Sequence, residues 1–259
     1  MIEMLTVSPK KDTSGAGPFP RPPASDLANS YETEGGFAGY YKPSSSVARF
    51  AIPTSNLLVH AGIANMVSMV VNPTWRSFYL DGWILHIPLF PIAQGAMWGD
   101  IDNAGCVDGK KTFIHTDGKT YAIELLSIQK GNGVITEQTL DNRTGPAYSV
   151  GSDYNRTILN LCTDPVLKGD RTPGEAAWGS ESGMGGGFTS RQMMGDGFGI
   201  TYNSYCWMRN SMVVAGNGEG HAQRPALNVS NNLAYTWFEA DNPSYRAGRT
   251  WRPVLRRLN

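Results

Sequence analysis

Histidines, cysteines and a few short acidic or glycine-bearing motifs are the residues of this chain with chemistry to offer. Asp100-x-Asp102-x-x-Gly105 opens like a calcium loop, with carboxylates at the first and third positions and the glycine that a tight turn needs at the sixth. The pattern then fails. Ala104 stands at the fifth position and Lys111 at the twelfth, where a bidentate carboxylate is required, so the two acids read as caps of the turn after Trp98. Gly118-Lys119-Thr120 ends like a phosphate-binding loop, but Phe113 occupies the place of its first glycine and a strand pattern follows, so it reads as a hairpin turn. His60, His86, His115 and His221 show no ligand spacing, and no serine lies in a Gly-x-Ser-x-Gly elbow. Cys106, Cys162 and Cys206 are widely spaced and odd in number, which makes neither a disulfide framework nor a zinc pattern and suits a reducing compartment. The expectation is a protein without metal, cofactor or catalytic residue, and not an enzyme.

Composition bounds the partners. With 41% hydrophobic and 17% charged residues the chain is globular with a real core, and a formal net charge of zero makes no electrostatic case for nucleic acid. Arg246, Arg249, Arg252, Arg256 and Arg257 form a local exception after the last acid, Asp241. Alternating with Trp251, Val254 and Leu255, they read as the wet face and packing partners of an edge strand. Residues 1–7 carry no secretion signal, and the apolar run over 57–71 is interrupted by His60, Asn65 and Ser68 and falls short of the ~18 residues of a membrane helix. A soluble protein with no membrane span is expected, in which the sequons at Asn142, Asn155 and Asn228 are turns.

The elements that must position these residues are mostly strands, because Gly (30) and Pro (16) are abundant and long helical periodicity is missing. Residues 8–26 are proline-rich and favour extended polyproline geometry, so Pro18, Phe19, Pro20, Pro22 and Pro23 are read as an assembly arm that orders on a neighbour. The arm is taken to residue 50, with Phe37, Tyr40 and Tyr41 as anchors. Over 57–71, Leu57, Ala61, Ala64 and Val67 fit a helical stripe while residues 69–71 look like strand, and periodicity does not decide. Asp81-Gly82 and Asp117-Gly118 each center a hairpin, over 77–87 and 111–126, and residues 155–161 suit a short helix. Residues 169–220 read as loop. Its aromatics either pin the loop or face outward, and Trp178, Phe188, Tyr202, Tyr205 and Trp207 are the candidate ligand-binding platforms.

Trp75-Arg76-Ser77-Phe78-Tyr79-Leu80-Asp81-Gly82-Trp83-Ile84-Leu85-His86-Ile87-Pro88, then Pro91-Ile92 and the Trp98 to Gly105 block, then Asp117 to Leu126, and the ending Trp251-Arg252-Pro253-Val254-Leu255 run in a fixed order. They resemble virion proteins of tailed bacteriophages whose last domain is similar to a C-type lectin or formylglycine-generating enzyme. Glu124 stands where those proteins usually have Arg, and Met97 where they have Ser. The resemblance implies an α+β, β-rich fold: an extended arm over 1–50, then a hairpin-rich body over 51–259 that ends in a C-type-lectin-like domain from about residue 110, with Trp75, Trp98, Tyr121, Trp251, Arg252 and Pro253 as structural residues. It implies a structural subunit of the virion, assembled in the host bacterial cytoplasm, placed in head, collar or tail, with itself and other virion proteins as partners. A host-surface glycan is the partner in an alternative adhesin reading. The enzyme of this fold binds copper through a cysteine pair, and here Cys162 and Cys206 are far apart in sequence and lie in no matching motif.

Overall fold

A computed structural model describes residues 17–33, 36–127, 135–136, 153, 156–157, 205–214, 218–224, 239–241 and 249–259. In chain order the strands and helices are β1 (Leu27–Thr33), β2 (Gly36–Tyr41), α1 (Thr54–Ala61), β3 (Val67–Ser68), β4 (Trp75–Leu80), β5 (Trp83–Pro88), β6 (Ala93–Gln94), α2 (Trp98–Asn103), β7 (Asp108–Ile114), β8 (Thr120–Glu124), β9 (Ile135–Thr136), β10 (Tyr205–Val214), β11 (Gly218–Arg224), β12 (Glu239–Asp241), β13 (Arg249–Trp251) and β14 (Val254–Arg257). They make a β-rich fold of two sheets. The first has the order β1-β2-β4-β5-β14-β8-β7, and the second β12-β11-β10-β13-β6-β3, with β9 beside β10.

The β4–β5 hairpin forms where the sequence puts it. Asp81 and Gly82 both have positive φ, 48° and 87°, the geometry of a two-residue turn whose twist matches the flanking strands, and the register runs from Leu80↔Trp83 to Trp75↔Pro88. The second hairpin closes differently. β7 and β8 last pair at Ile114↔Thr120, so the connection is the longer loop 115–119, held by the His115 N–H on the Lys119 carbonyl and the Gly118 N–H on that of His115. Over 57–71 the helix wins first: α1 ends at Gly62, whose φ of 67° makes the left-handed cap, and only Val67 and Ser68 are strand.

The chain's end departs from expectation. β14 is not an edge strand but lies between β5 and β8 in the first sheet, while β13 lies in the second, between β10 and β6. Arg252-Pro253 is the crossing between sheets, so the proline without an N–H falls where neither ladder needs a donor. Trp251 and Leu255 are fully buried in the main core with Leu57, Ile92, Tyr121 and Trp207, which draws on both sheets and on α1. Arg252, expected on a wet face, is buried at the crossing, where one of its terminal nitrogens donates to the Leu89 carbonyl at 3.1 Å.

The arm boundary also shifts. β1 and β2 pair antiparallel, and β2 pairs with β4. Their Gly, Ala and Ser content hides the alternation that marks a strand. Residues 17–23 form neither strand nor helix, bend at Pro18 and Phe19, and lie on their own body: Gly17 N–H donates to the Asp81 carbonyl at 2.7 Å and Phe19 N–H to that of Gly82 at 3.0 Å. Tyr79 hydroxyl donates to the Phe19 carbonyl, and the Arg257 guanidinium covers the Phe19 ring at 4.8 Å. Phe19 thus packs on the smaller core of Leu27, Phe37, Tyr41, Tyr79 and Ile84, while Pro18, Pro20 and Pro23 are exposed and Pro22 is half-buried.

Candidate functional site

Two buried polar clusters carry most of the reactive groups among the described residues. The first grows from the β4–β5 register, which sets Ser77 opposite His86 across the hairpin. Ser77 Oγ lies 2.8 Å from His86 Nδ1 and 3.2 Å from the Val47 carbonyl. A hydroxyl has one proton. The tautomer sets the direction: an imidazole protonated at Nδ1 donates to Oγ while the serine donates to Val47, and one protonated at Nε2 accepts from Oγ. Phe50 stacks on His86 at 4.2 Å, and burial, reinforced by Arg257, pulls the imidazole down to about 3. Both side chains are buried, and the pair fastens the turn at Val47–Arg49 to the sheet.

Next to it, Tyr121 hydroxyl donates to Asp117 Oδ2 at 2.9 Å, and His115 Nε2 donates to the Ala51 carbonyl at 3.0 Å. Burial pushes the Tyr121 phenol well up, reinforced by Asp117. Burial also works to raise Asp117, but hydrogen bonds from the Lys119 N–H, Tyr121 and His115 outweigh it and hold this carboxyl below its ordinary value. Phe50, His86, His115 and Phe113 surround the buried Tyr121 ring.

The second cluster centers on Glu124, 3% exposed at the end of β8. Its carboxylate bridges Arg209 of β10 at 3.3 Å and Arg256 of β14 at 3.1 Å, and Arg209 also approaches Asp153 at 3.6 Å. The bridge links the two sheets. Burial raises Glu124 above its ordinary value against the pull of both guanidinium groups. Where the resembling proteins carry Arg, this chain holds an acid between two arginines. A similar clasp joins the Asp81 turn to Arg156, through two bonds of 2.5 and 3.0 Å.

Among the expected structural residues, Trp98 donates its indole N–H to the Met208 carbonyl at 3.0 Å, and Trp75 and Trp251 are buried in the main core. Asp100 caps the turn as read, its Oδ2 accepting the Met97 N–H at 3.1 Å. Of the candidate platforms, Trp207 is a correction: it is 1% exposed, and its indole N–H donates to the Ala96 carbonyl at 3.1 Å, so it offers no face to a ligand. Tyr205 begins β10, opposite Arg249, while Trp178, Phe188 and Tyr202 lie outside the described residues. Within the loop expected over 169–220 lie β10 and the start of β11, which pair antiparallel, and of the helix expected over 155–161 only residues 156–157 are described. Cys106 and Cys206 are buried, while Cys162 falls outside the described residues.

No family model, curated protein or solved structure matches the chain. Among the described residues no group of three or more His, Cys, Asp or Glu side chains is placed to hold a metal ion, and no helix is long and apolar enough to cross a membrane. The Ser77–His86 pair escaped the sequence reading because its members are distant in sequence. A register centered on Asp81-Gly82 makes 77 and 86 partners, a signal present in the turn itself. Nothing local pairs Glu124 with Arg209 and Arg256.

Proposed function

We propose that this chain is a non-catalytic structural subunit of a tailed-phage virion that works by self-assembly and attachment to neighboring subunits, with a C-type-lectin-like domain in its C-terminal part. The observation that carries the reading is the convergence of the resembling sequence blocks. The block over 75–88 supplies β4 and β5, that over 117–126 supplies β8, and the ending supplies β14 between β5 and β8. The Ile92 N–H donates to the Trp251 carbonyl at 2.9 Å, which joins the Pro91-Ile92 block to the same center. Residues scattered over the sequence therefore build one frame, as an architectural likeness requires. The polar groups inside that frame are spent on fastening turns and sheets, in keeping with a subunit whose work is to hold shape.

Assembly has an evident route. β1 ends the first sheet with one edge unpaired among the described residues, and such an edge accepts a strand from another subunit. The test is reconstitution: purified chain is added to particles made without its gene, and the mixture is sedimented. Retention in the particle fraction at a fixed stoichiometry is expected. Chain left in the supernatant but bound to intact host cells would overturn the proposal in favor of an adhesin.

A further inference from the structure

Large apolar side chains left in solvent gather on α1 and around β3. Val59 of α1 is 81% exposed, Val67 of β3 59%, and Val71 just beyond it 72%. Ile114 of β7, at 70%, stands off this layer: it points to the opposite face of its strand from Phe113, on which His60 of α1 stacks. The helix turns Thr54, Leu57 and Ala61 inward, which puts Val59 on its outer side. After the cap at Gly62 the chain returns beside the helix, where the Thr54 N–H donates to the Val71 carbonyl at 2.9 Å and the Thr54 hydroxyl to that of Val70. β3 pairs with β6 on one side and ends the second sheet among the described residues. The layer is also without charge, since the sequence from Phe50 to Trp75 contains no Asp, Glu, Lys or Arg. The β7 edge of the first sheet is guarded, with Lys110 and Lys111 beside a bulge at 108–111. No charged residue does the same on α1 or β3.

We infer that this layer is a contact between two copies of the chain, joined about a two-fold axis so that Val59, Val67 and Val71 of each cover those of the other. In such a contact one patch meets itself, so a charge within it would face its own like. A charge-free strip escapes that repulsion. Its composition also argues against other occupants. Contacts with unrelated proteins draw their energy from Trp, Tyr and Arg, and a helix lying on a membrane surface carries Lys and Arg beside its apolar face. The large side chains exposed here are aliphatic, as in contacts between identical subunits, and Phe50 and Trp75 at the ends of the stretch are buried. Three valines expose a few hundred Å² at most, against about 800 Å² per partner in a standard interface, so the pair forms reversibly and depends on concentration. This contact goes beyond the virion reading and does not use the β1 edge.

The test is sedimentation equilibrium of the purified full chain, of a basic variant combining Val59→Lys, Val67→Lys and Val71→Lys, of an acidic variant combining Val59→Glu, Val67→Glu and Val71→Glu, and of the two variants mixed. All three positions are exposed, so folding is not at stake, and circular dichroism checks it. The natural chain should associate, and each variant should do so at least about tenfold more weakly, because like charges would be buried against one another. The equimolar mixture should recover a pair, since only in a self-contact does the Lys of one copy meet the Glu of the other. Ile114→Lys, off the layer, should associate as the natural chain does. The inference is overturned if the natural chain stays monomeric up to about 1 mM, if the triple variants associate as tightly as it does, or if Ile114→Lys is weakened as much as they are. It is also overturned if the two variants fail to pair, which would mean that the patch meets a different surface. No particle enters the test, so its failure leaves the virion reading untouched.

Discussion

Removing the Trp251 side chain probes the joint on which both sheets depend. Trp251 is fully buried, and its backbone pairs with Ala93 of β6, next to the Thr250 that also pairs with β10, before the chain crosses to the first sheet. An indole buries roughly 200 Å², worth about 5 kcal/mol at about 25 cal/mol per Å², an upper bound because the unfolded chain already covers part of it. The indole N–H is buried without a partner, a cost of about 1–3 kcal/mol that the natural side chain carries. Trp251→Ala sheds that cost but leaves a cavity, and the expected loss is about 3–5 kcal/mol, a large share of ordinary domain stability. Trp251→Phe keeps most of the ring and deletes the orphaned donor, so its expected loss is about 1–2 kcal/mol. Urea unfolding followed by circular dichroism measures both. A Trp251→Ala loss under about 1 kcal/mol, or a Trp251→Phe loss as large as that of Ala, would refute the placement of this side chain.

Three further outcomes follow from the buried groups. His86 stays neutral in the fold down to about pH 3, while in the unfolded chain it takes a proton near the ordinary histidine value of 6.5. The unfolded state therefore binds more protons between those values, and stability present above pH 6.5 falls on acidification with a slope of up to about 1.4 kcal/mol per pH unit. Glu124, raised in the fold, contributes the opposite slope above its ordinary value, so the assay compares urea unfolding of the natural chain and His86→Gln from pH 7 to 4, and the variant should lose the acid-sensitive slope. Glu124→Ala leaves two guanidinium groups without their shared acid, and a loss of about 3–5 kcal/mol is expected in the same unfolding assay. A Cβ added at Gly17 would collide with the Gly82 carbonyl oxygen, so Gly17→Ala should lift residues 17–19 off the β4–β5 turn and speed hydrogen exchange at the Phe19 amide.

What the sequence made legible is what local physics controls. Asp81-Gly82 demanded two residues with positive φ, and the hairpin around it followed with its register. The proline run keeps residues 17–23 out of strand and helix, yet no local rule says which surface such a segment lies on, and here Gly17 fits only because two glycines let the backbones meet. Trp251 read correctly as buried, while its strand was misplaced. Pro253 excludes an interior ladder position, and an edge is one way to meet that condition; a crossing between two sheets is another, and only long-range pairing distinguishes them. The same holds for Glu124. Its carboxylate depends on β8, β10 and β14 coming together from distant parts of the chain, so its role was invisible until the sheets were assembled.

The proposal that this chain is a structural part of a tailed-phage virion is tested most directly by an electron cryo-microscopy map of virions produced from a genome that carries its gene. The account predicts repeated, symmetric density that the two-sheet body fits, in contact with neighboring subunits. Particles complete at side-chain resolution, with no density for this fold and no peptide of the chain by mass spectrometry, would contradict it.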